Sequence, residues 1–301
     1  MHPPKPYKEL LEILEERLRV LPDKPGETPQ GNLHALWHTA AGNPLPMEEA
    51  LERPLPRIDD LAVARLRSLI RRRLEGEPLA YLTGRQSFMG LDLLAGPGAL
   101  IPRRETELLA EVGLSAIREC VETRGRALVL DVFTGSGNLV LAYAHHEPDA
   151  DLFGVDISEE AIRLACRNAL HTGHEGRVLF RVGDLLEPFD DPSFLGQVDV
   201  LTGCPPYIPE KKVGLMEPEI AGYEPKEAFA AGPFGLDLLH RLIREAPRFL
   251  RPGGVLAFEV GAGQGERIAR RIDRSPEYEE IRTHPDEEGR IRVVSARRSA
   301  D

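Results

Sequence analysis

Two short stretches of this chain carry residue types that could do chemistry. Thr134-Gly135-Ser136-Gly137 follows an apolar run, Ala127 to Leu130, that ends in Asp131, and it precedes an apolar helix start at Leu139. A buried strand, a tight glycine turn and a helix N-terminus make a nucleotide-binding corner, because glycine backbone and free helix N–H groups let a ligand approach closely. The second stretch, Cys204-Pro205-Pro206-Tyr207, closes the run that begins at Asp199. Two prolines cannot continue a strand and hold the backbone extended and stiff, which leaves the carbonyl of residue 204 free to accept a hydrogen bond. In an open α/β sheet ligands sit beyond the carboxyl ends of the strands, so this loop faces the same pocket. Taken alone, it reads as a proline-rich loop with a packed tyrosine.

The ligand follows by elimination. A dinucleotide fingerprint needs a third glycine where this chain has Val140, and a phosphate loop needs a lysine that does not follow Gly137. What remains is the glycine loop of a protein that binds S-adenosylmethionine, which has no phosphate and offers a methionine and a ribose instead. An acidic residue is then expected at the end of the next strand to bind ribose hydroxyls, and Leu152 to Asp156 supplies it. A third strand ends in Gly183-Asp184. The competing reading is an ordinary α/β turn with a surface aspartate.

The elements that must position these groups can be read from periodicity. Residues 7–20 carry a 3.6-period apolar stripe and predict an amphipathic helix, followed by a polar, proline-rich loop from Pro22 to Gln30. Asn32 to Ala41 predicts a second helix, stopped near Gly42-Asn43-Pro44, and residues 59–75 a third. In the third, Leu61, Leu66, Leu69 and Ile70 are expected to face inward, and Arg71-Arg72-Arg73 to be a solvated face favoured by the helix dipole. Gly84 to Pro102 reads as a hairpin, followed by a helix over 105–123. Strands are then expected at 127–131, 152–156, 178–182, 198–202 and 255–260, with helices at 137–146, 158–171, 235–250 and 263–273. Terminal strands fall near 277–283 and 290–296. This alternation predicts a mostly parallel, doubly wound α/β sheet. The expected organisation is a helical domain over 1–84, a hairpin linker over 85–104 and a catalytic domain over 105–301.

The 301 residues are ample for a substantial core, and 29% charged against 42% hydrophobic describes a soluble globular chain. The net charge of −11 disfavours a broad electrostatic grip on nucleic acid while leaving room for a local basic groove. The start, Met-His-Pro-Pro-Lys-Pro, is no signal peptide, and no apolar run reaches membrane-spanning length, so a cytoplasmic protein is expected. The three cysteines, Cys120, Cys166 and Cys204, have neither zinc spacing nor a disulfide framework. Cys120 and Cys166 fall on apolar helix positions and read as core. His145-His146 ends a helix, where the dipole suits it, and no partner stands at metal-ligand spacing, so no metal is expected. Gly261, Gly263 and Gly265 read as backbone packing.

Several motifs in order carry a family resemblance. They are Glu77-Pro-Leu-Ala-Tyr-Leu-Thr-Gly84, Leu100-Ile-Pro-Arg103 with Glu105-Thr-Glu107, Thr134-Gly-Ser-Gly137, Val155-Asp-Ile-Ser158, Pro205-Pro-Tyr-Ile208, Glu224-Pro225 and Arg251-Pro-Gly-Gly254. Together they resemble the protein-(glutamine-N5) methyltransferases of peptide chain release factors, also called HemK or PrmC. The resemblance implies a class I, Rossmann-like methyltransferase fold with an antiparallel close, S-adenosylmethionine as cofactor and a release factor as protein substrate. It places the cofactor at Asp131, Phe133, Thr134, Gly135, Ser136, Gly137, Asp156, Asp184, Leu185 and Cys204. It implies that Cys204, Pro205, Pro206 and Tyr207 hold the substrate glutamine. It gives Glu224 a part in shaping the loop after the tyrosine, where Glu217 and Glu219 either line the substrate entrance or are solvated.

The chain departs from the family at Cys204, where the family has asparagine, at Phe133, where it usually has glycine, and at Arg104, where it usually has proline. A thiol is a weak donor and weak acceptor and cannot present both an amide oxygen and an NH2 group. Three readings of Cys204 stay open. It is a tolerated variant in a glutamine methyltransferase, the mark of an enzyme with another nitrogen acceptor, or the mark of an inactive cofactor-binding descendant. A nucleophilic Cys204 is disfavoured, since no histidine lies near it in sequence and direct methyl transfer needs no covalent intermediate. Methylation of nucleic-acid bases, which related proline-proline-aromatic loops serve elsewhere, is disfavoured by the acidic charge.

Overall fold

A computed structural model describes residues 6–300 apart from 22–23, 25, 210, 212–213, 215–216 and 230–235. The expected first six residues thus lie almost wholly outside the described part, as do some of the 22–30 loop and the start predicted for the helix at 235.

Among the described residues five helices come first: α1 (Tyr7–Arg17), α2 (Pro29–Ala40), α3 (Met47–Glu52), α4 (Asp60–Leu74) and α5 (Leu79–Thr83). α2 starts earlier than its apolar pattern implies, because the Thr28 side chain caps it by accepting from Gly31 N at 3.1 Å and Pro29 fits the first helical position. Asp59 caps α4 in the same way through Ala62 N at 2.8 Å. These helices share a core around the fully buried Trp37, whose indole N–H donates to Pro56 O at 2.9 Å. α3 and α5 are too short for a periodic signal and were not expected. Leu66 and Ile70 are buried as predicted, but Leu61 is 66% exposed. It sits in the first turn of α4, on the side away from the core.

A two-stranded hairpin, β1 (Arg85–Phe88) and β2 (Leu91–Leu94), leads into α6 (Thr106–Arg124). The central sheet follows: β3 (Ala127–Val132), α7 (Asn138–His146), β4 (Ala150–Asp156), α8 (Glu159–His171), β5 (Val178–Val182) and β6 (Val198–Gly203). After the short α9 (Pro218–Tyr223) come α10 (Asp237–Glu245), β7 (Leu250–Glu259), α11 (Gly265–Ile272), β8 (Tyr278–Pro285) and β9 (Ile291–Arg298). The seven strands lie in the order β5-β4-β3-β6-β7-β9-β8, parallel except for β9, which runs antiparallel to both its neighbours. The expected class I, Rossmann-like sheet with an antiparallel close is therefore the observed one. β7 begins five residues before the predicted start and runs through Gly253-Gly254. A side chain at Gly254 would meet Val198 O and Arg251 O, both 2.9 Å from its Cβ position, so only glycine lets β7 close against β6 there.

One apolar cluster fills the face under α6 and α7, and a second fills the face under α10 and α11. Chain order reverses between β3 and β6, which are hydrogen-bonded neighbours with Asp131 opposite Thr202. Crevices at such a reversal, beyond the carboxyl ends of the strands, are where α/β sheets bind ligands.

Candidate active site

The glycine loop leaves β3 through three left-handed residues: Phe133 at φ 58°, Gly135 at 54° and Gly137 at 80°. Glycine takes this region freely, whereas Phe133 does so at a cost of about 1–2 kcal/mol. Asp131 lies under the loop and is wholly buried. Its two carboxylate oxygens accept from Thr134 Oγ1 at 2.6 Å and Thr202 Oγ1 at 2.8 Å. Burial raises Asp131 to about 7, against the pull of those two hydroxyls. Asp131 thus ties the loop to β6 from beneath.

Asp156 ends β4 and accepts from Gly135 N at 2.9 Å with one oxygen and from Ser158 N at 2.9 Å with the other. Burial pushes this carboxyl up, and the N–H groups of Ser158, Gly135 and Ile157 oppose the shift. Ser136 Oγ is buried in the same loop with no hydrogen-bond partner among the described residues. An orphaned hydroxyl beside a glycine turn and a carboxylate is the chemistry a ribose-bearing ligand satisfies. The residues fit S-adenosylmethionine on that observation. Leu185 is buried with φ 52°, and Asp184 before it is held by Arg241 of α10 at 2.9 and 2.7 Å.

Cys204 follows directly on β6 and is partly buried, with Pro205 and Pro206 fully so. Its Sγ donates to Glu259 Oε2 at 3.4 Å. Glu259 is the last residue of β7, is 1% exposed, and also accepts from Thr106 Oγ1 at 2.8 Å. Arg292 of β9 reaches both Glu259 Oε1 and the Tyr207 hydroxyl at 3.4 Å. Burial pushes the Glu259 carboxyl up despite Thr106, Arg292 and Cys204, and burial together with the Glu259 charge pushes the Cys204 thiol well up. Tyr207 is raised by burial and by Glu259 as well. Thiol and phenol are therefore both neutral, and neither serves as a base. Gln264 completes the wall: its Nε2 donates to Tyr207 O at 3.2 Å and its Oε1 accepts from Gly261 N at 3.0 Å.

Sequence reasoning missed Glu259, Thr106, Arg292 and Gln264. One signal was available: Glu259 is a charged residue that ends the apolar run Val255–Phe258.

Three expectations are corrected nearby. Arg73 is not solvated; it is 2% exposed and bonds to Asn32 Oδ1 at 2.8 Å, Glu27 at 2.7 Å and Glu219 at 2.7 Å. Arg71 and Arg72 do face solvent, because helical spacing turns only Arg73 inward. Glu219 is not solvated either: it is buried in α9 and is shared with Lys24 at 2.6 Å. Cys166 is exposed on the outer side of α8, whereas Cys120 is buried as expected. Glu224 accepts from Ile101 N at 2.9 Å and Arg103 Nη2 at 2.5 Å, joining the loop after Tyr207 to the segment after the hairpin.

No group of three or more His, Cys, Asp or Glu side chains suited to a metal occurs among the described residues. No helix among them is long and apolar enough to cross a membrane.

A glycine loop, a largely buried acid at the end of β4 and a Cys-Pro-Pro-Tyr loop at the reversal of an antiparallel-closed sheet are features of a class I methyltransferase. A family model described as a methyltransferase domain matches residues 125–288. The release factor glutamine methyltransferase of Geobacter sulfurreducens is 39% identical over 235 residues, covering 78% of each chain. That of Streptomyces coelicolor is 37% identical, covering 78% of this chain and 81% of its own. Among solved structures, the catalytic domain of hMettl16 in complex with MAT2A 3′UTR hairpin 6 aligns with a TM-score of 0.53 at 14% identity, over 82% of this chain and 84% of that one. This chain belongs to the release factor glutamine methyltransferase family. It is an S-adenosylmethionine-dependent enzyme.

Proposed function

We propose that this enzyme methylates the side-chain amide nitrogen of a glutamine in a peptide chain release factor, in the cytoplasm. The carrying observation is the 39% identity to a release factor glutamine methyltransferase over 78% of both chains. The helices of residues 1–84 recruit the protein substrate, the hairpin segment 85–104 links them to the rest, and residues 105–301 carry the chemistry.

Asp156, Ser136 and the backbone of residues 133–137 would hold the cofactor, with Asp131, Asp184, Leu185 and Cys204 completing its surroundings. When bound, S-adenosylmethionine supplies an electrophilic methyl group on a sulfonium sulfur. An amide nitrogen is a poor nucleophile because its lone pair is delocalised into the carbonyl. Residues 204–207 assist by accepting hydrogen bonds from the NH2 group and fixing it in line. The Cys204 carbonyl, ahead of Pro205, is the acceptor the loop offers most directly. The neutral Tyr207 forms the wall, held by Arg292 at its hydroxyl and Gln264 at its carbonyl. Catalysis is then positioning and electrostatics rather than strong base chemistry.

The decisive experiment follows labelled methyl transfer to a matched release factor by the native chain and by Cys204→Asn, side by side. Labelling of the factor's glutamine by the native chain supports the proposal and makes the cysteine a tolerated variant. Labelling by Cys204→Asn alone overturns it: the fold and recruitment survive, and this chain's own acceptor, if it has one, lies elsewhere.

A further inference from the structure

The loop after Tyr207 leaves the reactive corner and returns to it. Ile208 N donates to Phe229 O at 2.9 Å, so the two ends of the 208–229 excursion are bridged beside Tyr207, while Gln264 Nε2 holds the Tyr207 carbonyl at 3.2 Å. The far side of the excursion carries α9, whose buried Glu219 lies among charges from the other end of the chain. Glu219 Oε1 accepts from Lys24 Nζ at 2.6 Å, and its Oε2 accepts from Arg73 Nη1 at 2.7 Å. All three nitrogens of the Arg73 fork are engaged. Nε donates to Asn32 Oδ1 at 2.8 Å, Nη1 also to Glu77 O at 3.2 Å, and Nη2 to Glu27 Oε2 at 2.7 Å.

Such a cluster is a poor device for stability and a good one for placement. Side-chain exposure is 1% at Arg73, 6% at Glu219, 8% at Lys24 and 14% at Glu27, so two cations and two acids have left water together. Apolar side chains of similar volume often hold a contact of this kind as firmly or more so, because no charge has to be desolvated. A guanidinium fork adds direction: its hydrogen bonds fix distance and angle where apolar packing lets a helix slide. α9 needs that help, since six residues are too few to hold a helix on their own. Glu224, directly after α9, is tied in the same manner to Arg103 and the Ile101 amide. All four groups that grip α9 and its end therefore come from residues before 105.

We propose that Arg73 and Glu219 are positioning residues for methyl transfer: through α9, the helical segment holds the Cys204–Tyr207 loop in its reactive arrangement. This role rests on residues 204–207 being the glutamine site, and it is separate from recruitment of the protein substrate. A displacement of α9 reaches Tyr207 through the Ile208–Phe229 bridge and leaves the glycine loop and Asp156 untouched, because neither Arg73 nor Glu219 bonds to them. Loosening the cluster therefore lowers turnover of bound substrate, whereas loss of a recruiting contact weakens substrate binding.

The test compares the native full chain with Glu219→Gln, Arg73→Met/Glu219→Gln and Arg73→Lys. Methyl transfer is measured with the release factor varied at saturating S-adenosylmethionine, and hydrogen exchange is followed at the Ile208 amide. Glu219→Gln and the double variant are expected to lower kcat about 10- to 100-fold while KM for the release factor stays within about twofold. The Ile208 amide should exchange at least about tenfold faster in both. Affinity for S-adenosylhomocysteine, read by calorimetry, should stay near the native value and shows that the sheet is intact. Arg73→Lys keeps the charge but cannot reach Asn32, Glu27 and Glu219 at once, so its kcat should fall between those of the native chain and Glu219→Gln. An unchanged kcat, with or without a raised KM, overturns the proposal and leaves the cluster to recruitment or to stability. Native-like exchange at Ile208 in both variants overturns it as well, and so does loss of S-adenosylhomocysteine binding, which would give the cluster a global structural role. If the native chain leaves the release factor unlabelled, the proposed function fails, while exchange at Ile208 still decides the coupling: faster exchange in both variants supports it and native-like exchange overturns it.

Discussion

The Cys204 thiol donates to the Glu259 carboxylate at 3.4 Å, across the carboxyl ends of two neighbouring parallel strands. The contact occupies the thiol with a buried acid on one side, while Thr106 holds the same carboxylate oxygen from α6. Because burial and Glu259 push the thiol well up, Cys204 is expected to be chemically quiet. Brief iodoacetamide treatment near pH 8, read by mass spectrometry, should modify the exposed Cys166 at least about tenfold faster than Cys204, since each pKa unit is tenfold in thiolate. Faster labelling at Cys204 would mean that the site opens in solution.

Glu259→Gln keeps the shape of the side chain and removes its charge. The thiol then loses the anion that raises it, and Arg292 loses its 3.4 Å partner. Alkylation of Cys204 should speed up in this variant, while methyl transfer falls by about 10- to 100-fold through loss of the Arg292–Tyr207 arrangement. Unchanged methyl transfer would show that Glu259 does not order the Cys204–Tyr207 loop for the reaction.

Asp131 makes stability depend on pH. Its ordinary value is 3.8 and burial raises it to about 7, so the folded state favours the protonated acid. The stability this contributes is whole below about pH 4 and is lost as pH rises through about 7. At about 1.4 kcal/mol per unit, the loss is on the order of 4 kcal/mol. Denaturant midpoints at pH 5 and pH 8 should therefore differ more for the native chain than for Asp131→Asn, which cannot ionise. An equal drop in both would place the titrating group elsewhere.

Arg73 is the cation on which the helical segment and α9 converge. Burial pushes Glu219 up, yet Lys24 and Arg73 outweigh it and hold that carboxyl below its ordinary value. Removing one partner of a buried pair typically costs about 3–5 kcal/mol, because the other charge stays behind unpaired. Arg73→Met should lose about that much in urea unfolding, and Arg73→Met/Glu219→Gln should recover part of it. A single variant as stable as the native chain would show that water reaches the pair.

Phe133 stores backbone strain at φ 58° but also packs on the second apolar cluster. Phe133→Gly should relieve the strain and lose the contacts, for a net change within about 1 kcal/mol. Phe133→Ile keeps apolar surface at a position hostile to β-branching and should cost about 2 kcal/mol. The two melting curves separate these outcomes.

The parallel sheet, its reversal and the glycine loop were legible because each depends on local pattern: alternating apolar runs, a Gly-x-Gly turn, an acid at a strand end. Arg73 was misread because three consecutive arginines look identical in sequence, and only the 100° step between them decides which one meets Glu27 and Glu219. Glu259 and Arg292 escaped notice for a related reason. Their partners, Cys204 and Tyr207, lie 55 and 85 residues away, and no period links them. Leu61 shows the limit of an apolar stripe, which cannot say where the neighbouring helices stop.

The loop after Tyr207 is pinned at both ends of α9. Glu219 hands its charge to Arg73 and Lys24, and Glu224 hands its charge to Arg103 and the Ile101 amide. Anyone who expresses the sheet region alone, beginning near residue 85, therefore inherits Glu219 stripped of both its counter-ions. Such a fragment would need Glu219→Gln, or the missing helices supplied as a separate polypeptide, before the loop after Tyr207 could be expected to hold shape.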